Sequence, residues 1–363
     1  MRTGSLLTIL VAFSEDSPSV ARLEEAVALA RSADYEVAEV FSGRLREIHP
    51  GTFLGSGKVE ELGQVVAEKK AGVVVFNNPL SPVQVRNLEK KLACRVIDRH
   101  ELILEIFSKR AQSHEGKLQV ELAQLEHQAS RLARGWSHLE RQRGGSGFLA
   151  GPGEKQVEVD RRLLEKRMKH LSARIEAARR QREVRRRARA RRGVASLSLV
   201  GYTNAGKSSL FTRLTHAFSL AQDRPFTTLD TTTRRLYLCP GLEVVLTDTV
   251  GFVRDLPTEL VAAFRATLEE TVRADLLLHV VDLSSASWRE EMAETNEVLE
   301  SIGALAPQIL IANKVDRLGL PARSFQDGGK TWVWMSATQG QGADLLRLAI
   351  EEHFISANAL ALA

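Results

Sequence analysis

One short stretch constrains this chain more than any other: residues 201–208 read GYTNAGKS. This string matches G-x-x-x-x-G-K-[ST], the phosphate-binding loop. The mostly apolar residues 197–200 before it predict a strand, and residues 209–214 after it predict a helix, which is the context that the motif requires. The sequence therefore predicts a loop whose backbone N–H groups and following helix N-terminus face a polyphosphate.

Two side chains of this loop carry distinct chemistry. Lys207 is expected to reach the β- and γ-phosphate oxygens as a point charge, and the Ser208 hydroxyl to ligate Mg²⁺. The motif alone leaves open a chance strand, turn and helix. The predicted nucleotide-binding residues of the loop are Gly201, Tyr202, Thr203, Asn204, Ala205, Gly206, Lys207 and Ser208.

Composition narrows the class of protein. A chain of 363 residues is too long for one core and indicates two or three domains. No apolar run approaches the roughly 20 residues that span a bilayer, and no secretory cleavage pattern follows Met1. Cys94 and Cys239 lie far apart with no partner at metal-ligand spacing, so neither a disulfide framework nor a structural zinc site is supported, and we expect both to be buried thiols. We expect a cytoplasmic protein that is monomeric when free.

The positive charge is concentrated in one segment. Residues 179–192 contain nine arginines and only Glu183 as an acid, a local charge of +8, so the other 349 residues sum to about −3 of the total +5. Such a block favours a polyanionic partner, although a solvated helix end is the alternative. The candidate RNA contacts in it are Arg185, Arg186 and Arg187.

Residues 1–108 alternate short apolar strands with helical segments, which predicts a parallel α/β domain. Within it, Gly55-Ser56-Gly57-Lys58 looks at first like a second phosphate loop. It lacks a glycine at the required spacing, and Val59 stands where the motif needs Ser or Thr. We therefore expect a tight turn in which Ser56 or Gly57 starts the helix that covers residues 59–69.

Two heptad seams follow, over residues 118–136 and 164–178, with apolar positions spaced 4, 3, 4, 3. A glycine-rich stretch separates them, so residues 109–192 are predicted to form an antiparallel helical hairpin. Its tip is either a simple connection or a phosphate contact made by Arg141, Arg143 and Lys155. Because Arg182 and Arg185 continue the second seam, we expect the helix to leave its partner there and to fray or to present charge elsewhere.

From residue 193 the further elements of a nucleotide hydrolase appear in order. A predicted strand at 244–246 leads to Asp248, Thr249, Val250 and Gly251, where the aspartate can hold Mg²⁺ through water and the glycine N–H can meet the γ-phosphate. Upstream, Thr228 is the expected second hydroxyl on magnesium, with Thr227 and Thr231 as close alternatives, in a loop that orders with GTP. The expected nucleotide-binding residues of that loop are Phe226, Thr227, Thr228, Leu229 and Asp230.

The base is predicted by two later motifs, each at the end of a strand. The carboxylate of Asp316 can accept hydrogen bonds from guanine N1–H and its exocyclic amine, a donor pair that adenine lacks, which favours GTP. Residues 336–338 are placed to donate a backbone N–H to guanine O6. We therefore predict a doubly wound P-loop GTPase domain over 193–356, followed by a short tail at 357–363. The base-binding residues are Asn313, Lys314, Val315, Asp316, Ser336, Ala337 and Thr338.

Nearly the whole chain resembles the HflX GTPases, a group related to the translation-factor GTPases. The resemblance rests on FLGSGK at 53–58, CRVIDR at 94–99, HEGKLQVELA at 114–123, RGW at 134–136 and GPGE at 151–154. It implies a cytoplasmic, partly ribosome-associated GTPase. It also implies that the N-terminal domain and the hairpin engage the RNA of the large ribosomal subunit, and that the protein splits stalled or idle ribosomes under stress such as heat.

The catalytic set is predicted to be Lys207, Thr228 and Gly251, with one gap. Ras-like enzymes place a water-orienting glutamine directly after the glycine, whereas Phe252 follows Gly251 here. We expect slow intrinsic hydrolysis that the ribosome accelerates. Two alternatives are an RNA-binding module that the nucleotide only switches, and an ATP-driven RNA remodeller with a second site at residues 55–58.

Overall fold

The computed structural model describes residues 6–142, 152–190, 194–215, 225–226, 232–254 and 265–362. The chain forms two compact units, Met1–Ala177 and Ala178–Ala363. The predicted domain limits at 108 and 192 stay predictions, since the two units divide within one long helix.

The first unit contains a four-stranded, fully parallel sheet in the order β2-β1-β3-β4, which confirms the predicted N-terminal α/β architecture. Aliphatic side chains fill both faces of its central strands, because helices cover both sides. The strands are β1 (Leu6–Ser14), β2 (Tyr35–Arg44), β3 (Val73–Phe76) and β4 (Arg95–Ile97), and the helices are α1 (Val20–Ser32), α2 (Ser56–Lys69), α3 (Pro82–Leu92) and α4 (Arg99–Arg110).

Local signals account for where these helices begin. Ser81 caps α3 in a capping box with Gln84, and Pro82 occupies the first turn. Helix α2 begins at Ser56 with Gly55 as its N-cap, as the sequence predicted. The stretch 55–58 is thus the first turn of a helix.

The hairpin consists of α5 (His114–Gln142) and α6 (Pro152–Ala190). Arg167 pairs with Glu121, and Arg174 contacts His114, so the two helices run antiparallel as predicted. Leu171 is fully buried, and the other seam positions of α6, Leu164, Met168, Ile175 and Ala178, are partly buried among exposed neighbours. The heptad pattern therefore identified the packed face of α6.

Helix α6 does not end where its seam turns basic. It continues to Ala190, and within the second unit Arg179 forms an ion pair with Glu269 at 2.7 Å. One turn further on, Glu183 pairs with Arg273 at 2.8 Å. The helix is thus continuous through Arg182 and Arg185 and does not fray there, and an arginine just before them, Arg179, pairs with another element.

The second unit is a seven-stranded sheet in the order β10-β11-β9-β8-β5-β7-β6. The outer pairs β6–β7 and β10–β11 are antiparallel, and the other pairs are parallel. Its strands are β5 (Ala195–Val200), β6 (Thr232–Cys239), β7 (Leu242–Asp248), β8 (Leu276–Asp282), β9 (Gln308–Asn313), β10 (Arg323–Asp327) and β11 (Lys330–Trp334), and its helices are α7 (Lys207–Thr215), α8 (Arg265–Val272), α9 (Trp288–Ser301) and α10 (Ala343–Leu362).

Helices cover both faces of this sheet, which confirms the predicted doubly wound fold. Leu197 and Leu199 of β5 share a core with residues of α7 and α10. Ser198 points to the other face and contacts Thr271 of α8 at 3.1 Å. Helix α10 also runs through most of the segment that we assigned to a tail. None of the described helices is long and apolar enough to cross a membrane.

Candidate functional site

The loop between β5 and α7 approaches its neighbours so closely that only glycine fits at two positions. Gly201 has φ = +139° and Gly206 has φ = +99°, both in the region that favours glycine. A Cβ atom on Gly201 would collide with the carbonyl oxygen of Val280, and one on Gly206 would collide with the Asn313 amide nitrogen. The tight turn predicted for the phosphate loop is therefore present and is held between β8 and the residue that ends β9.

Lys207, the first residue of α7, is buried with only 6% of its surface exposed. Its ammonium donates to the carbonyls of Gly201 at 3.0 Å and Tyr202 at 2.7 Å. Burial lowers the pKa of this lysine to about 8, an effect that the charge of Asp248 opposes and that of Lys314 reinforces. Phosphate oxygens would supply the negative charge that favours the ammonium form.

Ser208 and Asp248, the two described residues predicted to hold magnesium, meet directly. The serine Oγ donates to the Asp248 Oδ2 at 2.8 Å. Magnesium takes an octahedron of oxygens at about 2.1 Å, in which neighbouring ligands lie about 3 Å apart. The Asp248 carboxylate therefore lies beside the ion position that Ser208 would ligate, within reach of a water bound to the same ion. Thr249, by contrast, is buried and donates to the Leu199 carbonyl at 2.5 Å, which makes its side chain structural.

The segment after Asp248 folds back onto the phosphate loop. Phe252 N–H donates to the carbonyl of Gly201 at 3.2 Å, and Thr203 N–H donates to the carbonyl of Phe252 at 2.7 Å. A Cβ atom on Gly251 would lie 2.9 Å from the Lys207 Nζ and 2.8 Å from the Thr203 Cγ2. Gly251 is thus required for this approach, and the Phe252 side chain is buried with 3% exposed.

Arg254 is a buried charge beside the same loop that no motif had marked as a contact. Its N–H donates to the Tyr202 hydroxyl at 2.9 Å. Its guanidinium pairs with Glu290 at 3.2 Å and Glu294 at 3.3 Å, one turn apart on α9. The four-residue spacing of these two glutamates is the sequence signal for a shared cationic partner, but it does not identify that partner as Arg254.

The residues expected to read the base are connected to the phosphate loop. The Asn313 side chain donates to the Ala205 carbonyl at 2.8 Å and accepts the Ala337 N–H at 3.0 Å. Lys314 pairs with Asp282 at 2.6 Å, both largely buried. Asp282 ends β8 and was missed from the sequence, because no motif includes it.

The Asp316 carboxylate has one buried oxygen, Oδ1, that accepts no hydrogen bond from the described part of the chain. An unpaired buried carboxylate oxygen is costly unless a ligand donates to it. Val315 N–H donates to the carbonyl of Met335 at 3.3 Å, so this loop and residues 336–338 stand side by side. The two predicted base-reading segments therefore lie together at one edge of the sheet.

Several predicted site residues cannot be placed. Phe226 is buried, whereas Thr227, Thr228, Leu229 and Asp230 lie outside the described residues. Of the candidate RNA contacts, Arg143 also lies outside them. The others have a described helical backbone but no described side chain: Arg141, Lys155, Arg185, Arg186 and Arg187.

Comparison with known proteins covers nearly the whole chain. Residues 20–108, 110–189 and 196–314 match the families described as "GTP-binding GTPase N-terminal", "GTP-binding GTPase Middle Region" and "50S ribosome-binding GTPase". GTPase HflX of Escherichia coli K12 is 50% identical over 334 residues, which are 91% of this chain and 78% of that protein. GTPase HflX of Alkalihalophilus pseudofirmus is 46% identical over 342 residues, 93% and 79% of the two chains.

The chain belongs to the HflX GTPase family. The family predicted from the sequence is thereby confirmed, and the protein is a GTP-binding P-loop GTPase. Among solved structures, the complex of SsGBP with GDP aligns over 96% of this chain and 98% of that one, with a TM-score of 0.53 and 23% identity. That likeness supports the fold.

Proposed function

We propose that this HflX family GTPase is a cytoplasmic switch that binds the large ribosomal subunit in its GTP form and splits stalled or idle ribosomes under stress. Support for the partner comes from residues 196–314, which match a family described as a 50S ribosome-binding GTPase. The observation that carries the proposal is the pairing of the basic end of α6 with α8. This pairing joins α6, whose basic end is expected to contact RNA, to α8, the helix that follows Gly251 and Phe252 in the chain.

The chain's own groups account for substrate binding. Lys207 and the loop N–H groups neutralise the phosphates, Gly251 offers a backbone N–H to the γ-phosphate, and Asp316 with residues 336–338 holds guanine. Ser208, Asp248 and Thr228 would hold Mg²⁺, with Asp248 acting through water. An ion held by these residues would offset the negative charge that develops on the phosphate oxygens.

The coupling runs along α6. Arg179 and Glu183 lie one turn apart and pair with Glu269 and Arg273, which are also one turn apart. A displacement of α6 by bound RNA therefore pulls on α8 through two contacts of opposite polarity. The expected RNA contacts are Arg141, Arg143 and Lys155 near the hairpin tip, and Arg185, Arg186 and Arg187 at the basic end.

The deciding experiment is single-turnover GTP hydrolysis with and without purified large subunits. A slow basal rate that rises at least tenfold with large subunits, and not with small ones, is expected. Equal rates in all three conditions would contradict the proposed partner.

Charge reversal of Arg185, Arg186 and Arg187 tests the RNA contact. Each lost phosphate contact lowers the slope of log affinity against log salt by about 0.7 to 0.9. We expect the triple variant to bind large subunits more weakly with a flatter salt dependence. A matched control reverses three exposed arginines of the second unit, Arg234, Arg235 and Arg289. If the two triple variants bound large subunits equally well, the α6 arginines would be solvated surface residues and not RNA contacts.

A further inference from the structure

An arginine outside every nucleotide-binding motif holds the loop expected to read the base. Arg213 lies in the second turn of α7, the helix whose first turn carries Lys207 and Ser208. Its Nε donates to the carbonyl of Ala337 at 3.1 Å, and a terminal nitrogen donates to the carbonyl of Thr338 at 2.5 Å. One side chain therefore ties the phosphate-binding helix to two consecutive peptides of the loop after β11.

The rest of that loop is internally bonded. Ser336 N–H donates to Gln341, Gly340 N–H donates to Ser336, and Gln339 N–H donates to the Ser336 hydroxyl. Ala337 N–H donates to Asn313. Among the backbone donors of residues 336–340, all within the described chain, only the N–H of Thr338 has no acceptor in the structure.

The peptide geometry gives the direction of that donor. The Thr338 N–H and the Ala337 carbonyl belong to one peptide, and in a trans peptide the two groups point in opposite directions. None of the peptides that the structure describes is cis. Because the carbonyl points at Arg213, the Thr338 N–H points away from α7.

The approach of the guanidinium also depends on the loop backbone. Gly340 has φ = +82°, and a Cβ atom there would lie 3.2 Å from a terminal nitrogen of Arg213. The glycine thus permits both the turn and the close position of the arginine. Arg213 and Asn313 together fix the Ala337 peptides from two sides.

We propose that Arg213 is a specificity-determining positioning residue: it orients the Ala337–Thr338 peptide so that the Thr338 N–H donates to the 6-oxo group of guanine. The inference rests on the assignment of residues 336–338 to the base under the proposed function. It adds a residue from the phosphate-binding helix to base recognition, so that one helix positions both ends of the nucleotide.

The test measures dissociation constants of the nucleotide-free full chain for GDP, 6-thio-GDP and IDP. Sulfur at position 6 accepts hydrogen bonds weakly, so the ratio of the 6-thio-GDP to the GDP constant reports the 6-oxo contact. IDP lacks the 2-amino group, so its ratio to GDP reports Asp316. For Arg213→Ala we expect GDP to bind about fivefold to tenfold more weakly, the loss of one hydrogen bond to a neutral acceptor, and the thio ratio to fall towards one. The IDP ratio should stay unchanged.

Arg347→Ala is the matched control. Arg347 of α10 also donates to two backbone carbonyls, those of Tyr237 and Leu214 at 3.0 Å each, away from the base loops. It should keep the wild-type thio ratio. Arg213→Lys, which retains the charge and can reach one carbonyl, should give an intermediate ratio and serves if the alanine variant does not fold. An unchanged thio ratio in the Arg213 variants, or an equal fall in the Arg347 control, would overturn the inference. Equal binding of IDP and GDP by the wild type would instead refute the assignment of Asp316.

Discussion

The backbone N–H of Thr203 donates to the carbonyl of Phe252 at 2.7 Å. This bond joins the phosphate-binding loop to the segment after Gly251 through the main chain, independently of side-chain identity. A phosphate group that draws the Thr203 N–H towards itself must compete with Phe252. We therefore expect nucleotide binding to be coupled to the position of the segment from Val250 to Arg254.

Phe252→Gln tests whether the missing water-orienting glutamine can be restored. The Phe252 side chain is 3% exposed, so a glutamine there would enter the apolar interior and not the phosphate site. We expect no gain in the single-turnover rate of GTP hydrolysis and a loss of about 1 to 3 kcal/mol in the free energy of unfolding, the cost of burying an unpaired amide. A faster intrinsic rate would show that this side chain can turn towards the nucleotide.

Gly251→Ala should separate binding from hydrolysis. The added Cβ would lie 2.8 Å from the Thr203 Cγ2 and 2.9 Å from the Lys207 Nζ, closer than van der Waals contact allows. We expect GDP affinity within a few-fold of wild type, because the phosphate loop keeps its glycines, and at least tenfold slower hydrolysis, because the Gly251 N–H is displaced. Gly57→Ala is the control: its Cβ would meet nothing within 4 Å, so hydrolysis should not change. Equal rates in both variants would contradict the role of Gly251.

Asp316→Asn should change which base is bound. The unpaired, buried Oδ1 of Asp316 is available for a charge-assisted hydrogen bond. Replacing it with an amide removes about 1.5 to 3 kcal/mol of binding energy for GDP, which is roughly tenfold to a hundredfold in affinity. Xanthosine diphosphate, which offers a carbonyl in place of the 2-amino group, should bind the variant better than the wild type. Calorimetric titration measures the dissociation constants of both nucleotides. An unchanged GDP affinity in the variant would show that Asp316 does not bind the base.

Sequence alone located the parts of the site that depend on local structure. Helix α2 was predicted over residues 59–69 with Ser56 or Gly57 at its start, and it is found at Ser56–Lys69, because its start signal is local in the sequence. The phosphate loop was recognised because its glycines and the strand before it are consecutive in the chain. The apolar seam of α6 was predicted because a helix face repeats with a regular period.

The missed residues depend on contacts distant in sequence. Arg254 is buried and pairs with two glutamates about forty residues later in the chain. Arg213 acts on carbonyls more than a hundred residues away. Asp282 ends a strand that no motif marks, and its role appears only through Lys314. Which side chains meet at a sheet edge depends on the order of the strands in the sheet. Residue propensities and motif spacing describe local structure and do not determine that order.

A charge swap tests the coupling between α6 and α8. The side chains of Arg179 and Glu269 are 45% and 19% exposed, so their ion pair is worth at most about 1 kcal/mol of stability. Arg179→Glu should therefore barely change unfolding but should lower subunit-stimulated hydrolysis, since like charges push the helices apart. Arg179→Glu combined with Glu269→Arg should restore the rate. Failure of the double variant to recover, at normal stability, would argue against coupling along α6.

Acid should destabilise the second unit through a buried histidine. His279 of β8 is 1% exposed, and burial lowers its pKa to about 4, while the hydrogen bond that its ring nitrogen Nδ1 donates to the Gln308 Oε1 opposes the shift. Its ordinary pKa is about 6.5. Between these values the unfolded chain binds a proton that the folded chain does not, so stability falls as pH decreases. We expect this one group to lower the free energy of unfolding by about 2 kcal/mol between pH 7 and pH 5.

The variant His279→Phe keeps a ring of similar size and cannot titrate. The stability of the wild type relative to this variant should therefore fall by that amount between pH 7 and pH 5. Urea unfolding followed by tryptophan fluorescence at both pH values measures it, and other histidines cancel in the difference. A difference that does not change with pH would mean that the His279 pKa is the same in the folded protein as in the unfolded chain.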